Sequence, residues 1–93
     1  MQVSPDAHKI RLIFIINGEN FPVEVDVHAL LILAVEKALV LSDNTGRRNP
    51  REWEVRDSAG TLLQVDQSIK DLGLREGARL FLSLQVGAGG TLR

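Results

Sequence analysis

The dipeptide Asn17-Gly18 lies between two runs in which every second residue is apolar, a pattern that commits the first third of the chain to a β-hairpin. Before it, Ile10, Leu12, Phe14 and Ile16 share one face of an extended chain, with Arg11, Ile13 and Ile15 on the other. After it, Phe21, Val23 and Val25 alternate with Pro22, Glu24 and Asp26. Asn and Gly both tolerate positive φ, which a tight turn between twisted strands requires. A two-residue loop at Asn17-Gly18 and a four-residue loop ending at Asn20 give the same parity. Either way Leu12 and Phe14 share a face with Val23 and Val25, and that face needs a second layer to cover it.

The period then changes. From about His28 to Leu41 the spacing predicts a helix whose inward stripe is Leu31, Ala34, Val35, Ala38 and Leu39. Its opposite side carries Glu36 and Lys37, and also Leu33 and Val40, which are seven apart and sit together facing solvent. Those two form a second candidate surface, against the plainer reading that scattered exposed apolar residues are ordinary. Gly46 is the expected helix exit or loop residue. Residues 42–52 form a polar loop whose Arg47, Arg48 and Arg51 read as solvated, with an acidic partner as the alternative. A strand over Trp53–Asp57, a turn at 58–60 and a short strand over Thr61–Val65 follow, with Trp53 plugging the rim of the core beneath the helix. Ser68 caps a single helical turn reaching Leu72, and Arg75-Glu76-Gly77-Ala78 turns into the last strand, Arg79–Gln85. In that strand Leu80, Leu82 and Leu84 face inward, Phe81 and Ser83 outward. Two hairpin strands, a helix and returning strands oblige the helix to cross one face of a mixed four- to five-stranded sheet, with the first and last strands parallel and central. The fold class is α+β, in a β-grasp arrangement.

Composition narrows the function classes. Ninety-three residues with 44% apolar content make one modest domain, and a net charge of −1 gives no footprint for nucleic acid or an anionic membrane. The absence of cysteine removes disulfides, thiolate chemistry and cysteine-ligated zinc, and suits a reducing cytoplasm. The longest apolar run, Ala29–Val35, falls far short of the roughly 20 residues of a membrane span. Residues 1–8 contain Pro and Asp without an apolar stretch, and read as a short lead-in with no signal peptide. His8 and His28 are twenty apart with no ligand spacing, and Asp6 beside His8 makes a poor site. No phosphate-cradling glycine loop and no nucleophile–base set is present. These residues offer no candidate catalytic residue, metal site or cofactor site.

Past the last strand come Gln85-Val86-Gly87-Ala88-Gly89-Gly90, almost without side chains, and then Thr91-Leu92-Arg93. Glycine has the largest ordering entropy and nothing to pack, so this tail adds nothing to a core, whereas a slender tail fits a narrow tunnel. The chain thus divides into a lead-in (1–8), a folded domain (9–84), an arm (85–90) and a terminal extension (91–93).

Over nearly all of residues 9–90 the chain resembles ubiquitin and its relatives. The resemblance is carried by Ile69-Lys70-Asp71-Leu72-Gly73-Leu74-Arg75-Glu76-Gly77, then Leu80-Phe81-Leu82-Ser83-Leu84, then Gly89-Gly90, in that order and at matching spacing. It implies a protein modifier, a substrate of enzymes and not itself an enzyme, whose Gly90 carboxylate is adenylated by an activating enzyme and passed as a thioester to a conjugating enzyme. An isopeptide bond to an amine of a target protein would follow, with Gly89 and Gly90 as the conjugation and processing residues. Ubiquitin has arginines just before its diglycine; here Val86, Gly87 and Ala88 stand there, so the partner enzymes would recognise the tail through them. The three residues after Gly90 imply a processing peptidase, and only Lys9, Lys37 and Lys70 are available for self-linked chains. Body and tail look more like a bacterial ubiquitin-like modifier than a eukaryotic ubiquitin. Ubiquitin binds partners on the outer face of its sheet, which implies a patch here of Ile13, Ile15, Phe81 and Ser83. Coverage by residues 1–8 or contact with another copy is the alternative for that face. A sulfur carrier forming a thiocarboxylate at Gly90, and a β-grasp adaptor that is never conjugated, remain open as alternative functions. The oligomeric state also remains open.

Overall fold

A computed structural model describes residues 8–43 and 49–84. Strands β1 (Lys9–Ile16) and β2 (Glu19–Asp26) pair antiparallel, with Leu12 opposite Val23 and Phe14 opposite Phe21. The loop is the two-residue one: Asn17 and Gly18 have φ of 54° and 83°, the positive values that a hairpin turn of matching twist demands. The Ile13 N–H donates to the carbonyl of Ala78 at 2.8 Å, away from β2, so its partner Pro22 has no ladder hydrogen bond to lose. Proline's missing donor lies on the open edge of the sheet, where it discourages further strand pairing.

Helix α1 (Leu31–Leu41) begins three residues later than the periodicity predicts. Leu30, at the N-cap, has no side-chain acceptor to offer. Instead the N–H groups of Leu31 and Ile32 donate to the carbonyls of Gln67 and Val65 at 2.9 and 3.0 Å. Ala29 and Val27 return the exchange, accepting from Ile69 and Lys70 at 2.9 and 2.8 Å. The helix start is therefore set by a distant backbone segment that satisfies its orphan donors. At its other end Asp43 takes a φ of 61°, reversing the chain; Gly46, the expected exit, lies outside the described residues.

A 3₁₀ turn (Pro50–Glu52), capped by Asn49 Oδ1 accepting from the Arg51 N–H at 2.8 Å, leads into β3 (Trp53–Arg56). β3 stops one residue short of the expected Asp57, whose carboxylate accepts from the N–H groups of Ala59 and Thr61 at 2.9 and 3.0 Å to build the turn. β4 is only Leu62–Leu63, because the chain then leaves the sheet to bring Val65 and Gln67 to the helix start. Ser68 caps as expected, its Oγ accepting from the Asp71 N–H at 3.0 Å, but the segment is a hydrogen-bonded turn and not a helix. β5 (Arg79–Leu84) closes the sheet in the order β2-β1-β5-β3-β4, parallel to β1 and antiparallel to β3.

The result is an α+β, β-grasp fold, a mixed five-stranded sheet packed on one helix. The predicted helix stripe, Leu31, Ala34, Val35, Ala38 and Leu39, is buried against Leu12, Phe14, Ile16, Val55, Leu80 and Leu82. Each large side chain among them contributes about 1.5–3 kcal/mol. Leu84 departs from expectation: it keeps inward parity but is 37% exposed, at the strand end opposite Trp53. Trp53 is buried in the core, and among the described residues its Nε1 has no hydrogen-bond partner.

Candidate functional site

The central pair of strands sets the outer face of the sheet. Leu80 and Leu82 point into the core, so Phe81 and Ser83 must point out, and the β1–β5 register places Phe81 beside Ile15 and Arg79 beside Ile13. On the other side of β5, Phe81 lies opposite Arg56 and Ser83 opposite Glu54, while Arg56 in turn faces Leu62 of β4. One row across the sheet thus reads Asn20, Ile15, Phe81, Arg56, Leu62.

All four residues expected in this patch, Ile13, Ile15, Phe81 and Ser83, share the outer face. They differ in access. Phe81 is 42% exposed and Ser83 is exposed, whereas Ile13 and Ile15 are half-buried and form its floor. Leu62, 47% exposed, and Pro22, opposite Ile13, extend the apolar strip beyond what parity in β1 and β5 reveals. Arg56 supplies a cation held in place: Nε donates to Glu54 Oε2 at 3.3 Å and a terminal nitrogen to the Gly60 carbonyl at 2.9 Å. An apolar strip with a fixed guanidinium beside it is suited to bind another protein. Pro22, Arg56 and Leu62 are not legible in the sequence because their membership depends on cross-strand register. The alternation Trp53-Glu54-Val55-Arg56 was the one local signal, since it sends Glu54 and Arg56 outward.

The second expected surface is also accessible. Leu33 and Val40 are 48% and 64% exposed and border a groove of about 410 Å³ between α1 and β2, with Val25 and Ala29 in its wall and Glu36 and Lys37 beside them. Lys37 Nζ donates to the Glu24 carbonyl at 3.4 Å. The fold also brings His8 and His28 together, ring centroids 5.3 Å apart, although the sequence shows no spacing between them that suggests a site. They border a shallow concavity with Lys70 and Arg75. Among the described residues no three His, Cys, Asp or Glu side chains gather as a metal-binding group, and no helix is long and apolar enough to cross a membrane. Arg51 is exposed to solvent and pairs with Asp66 at 2.7 Å. Arg47 and Arg48 lie outside the described residues, as do Val86, Gly87, Ala88, Gly89 and Gly90 of the arm and the extension 91–93.

Comparison with known proteins bears on both fold and family. The family described as "Protein of Unknown function (DUF2604)" matches residues 5–90. The uncharacterized protein y4jI of Sinorhizobium fredii (strain NBRC 101917 / NGR234) is 40% identical over 83 residues, covering 88% of this chain; the aligned part spans 62% of that relative's length. Among solved structures, the ubiquitin-like domain of Arabidopsis thaliana At2g32350 superposes with a TM-score of 0.71 at 16% identity, covering 100% of this chain and 94% of that one. Caldiarchaeum subterraneum ubiquitin gives 0.67 at 16% identity, with coverage of 88% and 99%. The ubiquitin-like domain of Mycobacterium xenopi EccD5 gives 0.66 at 18%, with coverage of 83% and 94%. At such identities these likenesses speak to the fold: it is ubiquitin-like.

Proposed function

This chain belongs to the DUF2604 family, and from that premise, together with its ubiquitin-like fold, we propose that it is a protein modifier joined to its targets through Gly90. The observation that carries this reading is the position of β5. A central strand anchored by the buried Leu80 and Leu82 ends at Leu84, and the sequence runs on through Gln85 into Val86-Gly87-Ala88-Gly89-Gly90. A rigid central strand followed by residues with minimal side chains is the form of a deliverable carboxyl terminus. The S. fredii relative supports a bacterial setting, and the ATP the chemistry needs supports action in the cytoplasm.

A peptidase hydrolyses the Gly90–Thr91 bond, freeing the Gly90 carboxylate. An activating enzyme joins that carboxylate to AMP from ATP, releasing pyrophosphate. The enzyme's thiolate attacks the acyl adenylate and expels AMP, leaving a thioester that a conjugating enzyme accepts by exchange. An amine of the target then displaces the thiol and forms the amide. This chain supplies no acid, base or nucleophile to any step. Val86, Gly87 and Ala88 are what the enzymes read along the arm, and Phe81 over Ile13 and Ile15, with Ser83, is where they grip the body.

The test is an intact-mass measurement on the chain ending at Gly90, incubated with its activating enzyme and ATP. A thioester on that enzyme, and mass added to other proteins, is the expected outcome, with both lost in Gly90→Ala. Exchange of the terminal oxygen for sulfur would make it a sulfur carrier instead. Cellular function that survives deletion of Gly89-Gly90 would make it an adaptor working through its body alone.

A further inference from the structure

We propose that the chain self-associates through the outer face of α1, as a weak parallel dimer with its two-fold axis along the helices. Between Leu31 and Val40 the exposed residues of the helix are Leu33, Glu36, Lys37 and Val40, and every other residue is buried. An exposed helical face is ordinarily polar throughout. Here half of it is apolar, with Leu33 and Val40 leaving 48% and 64% of their surface in water.

The arrangement of the four residues decides the occupant. Positions i, i+3, i+4 and i+7 form a compact diamond on a helix surface. At about 100° per residue, Leu33 and Val40 fall within about 10° of its mid-line, and Glu36 and Lys37 flank it at about 50° on opposite sides. A two-fold axis parallel to the helices stacks Leu33 on the second copy's Leu33 and Val40 on its Val40. The same operation brings each Glu36 against the other copy's Lys37, twice per dimer. The face is thus complementary to itself in shape and charge, as an isologous contact requires. An antiparallel pairing instead sets Glu36 against Glu36 and Lys37 against Lys37, and is disfavoured by that repulsion. Lys37 gives up only a long 3.4 Å contact to the Glu24 carbonyl when it turns to the second copy. Four side chains of one helical face make a small contact of the weak, transient kind, for which a Kd on the order of 0.1–1 mM is expected.

The test is sedimentation equilibrium and NMR diffusion of the full chain from 0.05 to 2 mM. Concentration-dependent dimerisation is expected, weakened about tenfold by Glu36→Lys and by Lys37→Glu, each of which turns both ion pairs repulsive. The double variant carrying both changes recovers the dimer, because the opposite charges again face one another. Leu33→Asp abolishes it, with circular dichroism checking that the helix persists. Phe81→Ala, on the far side of the sheet, leaves it unchanged. A chain that stays monomeric at 2 mM overturns the proposal and leaves this face to a different partner. So does a dimer that persists in Leu33→Asp, or one that the double charge swap fails to restore.

Discussion

Leu80 and Phe81 are consecutive residues of β5, and truncating each to alanine separates the core of the sheet from its outer face. Leu80 is fully buried beneath α1, so Leu80→Ala leaves a closed cavity and is expected to cost about 3–4 kcal/mol. Phe81 is 42% exposed, so a little over half of its ring is withdrawn from water. Scaling about 3 kcal/mol for a fully buried aromatic ring by that fraction gives about 1–2 kcal/mol for Phe81→Ala, with no cavity term because water fills the space. Urea unfolding followed by far-ultraviolet circular dichroism and by the fluorescence of Trp53 reads both. With a slope of about 1–2 kcal/mol per molar, the midpoint should fall by about 1 M for Phe81→Ala and by 2 M or more for Leu80→Ala. Phe81→Ala should also weaken binding to the activating enzyme at least tenfold, about 1.4 kcal/mol, while the domain stays folded. The reasoning is refuted if Phe81→Ala costs as much as Leu80→Ala. That outcome would mean that the outer face is covered, whether by residues 1–8 or by another copy, and is closed to partners.

Two further substitutions probe the frame that holds these surfaces. Gly18→Ala meets no atom within 4 Å of the added Cβ, so its cost is that of a φ of 83° alone. About 1 kcal/mol is expected, seen as a fall of about 4–8 °C in the melting temperature. Trp53→Phe gives up packing but removes a buried Nε1 that has no partner among the described residues, a donor worth about 1–3 kcal/mol when orphaned. The two effects nearly cancel, and chemical denaturation should place this variant within about 1 kcal/mol of the native chain, against about 3–5 kcal/mol lost by Trp53→Ala.

What the sequence reveals follows the range of the interactions involved. The hairpin, its turn and the inward stripe of α1 are legible because each is written in residues a few positions apart. The start of α1 is not. Its donors are satisfied by the carbonyls of Val65 and Gln67, more than thirty residues on, and no capping residue at position 30 announces it. β4 shrinks to two residues for the same reason, since the segment after it is drawn to the helix. The outer face divides likewise: strand parity places Ile13, Ile15, Phe81 and Ser83, while Pro22, Arg56 and Leu62 join through register. The arm obeys a different logic. Under the proposed function, conjugation would ask of Gly89 and Gly90 only slenderness and reach, which the sequence records without reference to any packing partner. For those residues the sequence is the primary record, and the fold decides where their reach begins: after Leu84, on a strand held between β1 and β3. A one-residue insertion between Arg79 and Leu80 would reverse the parity of β5, turning Leu80 out of the core and Phe81 off the outer face together.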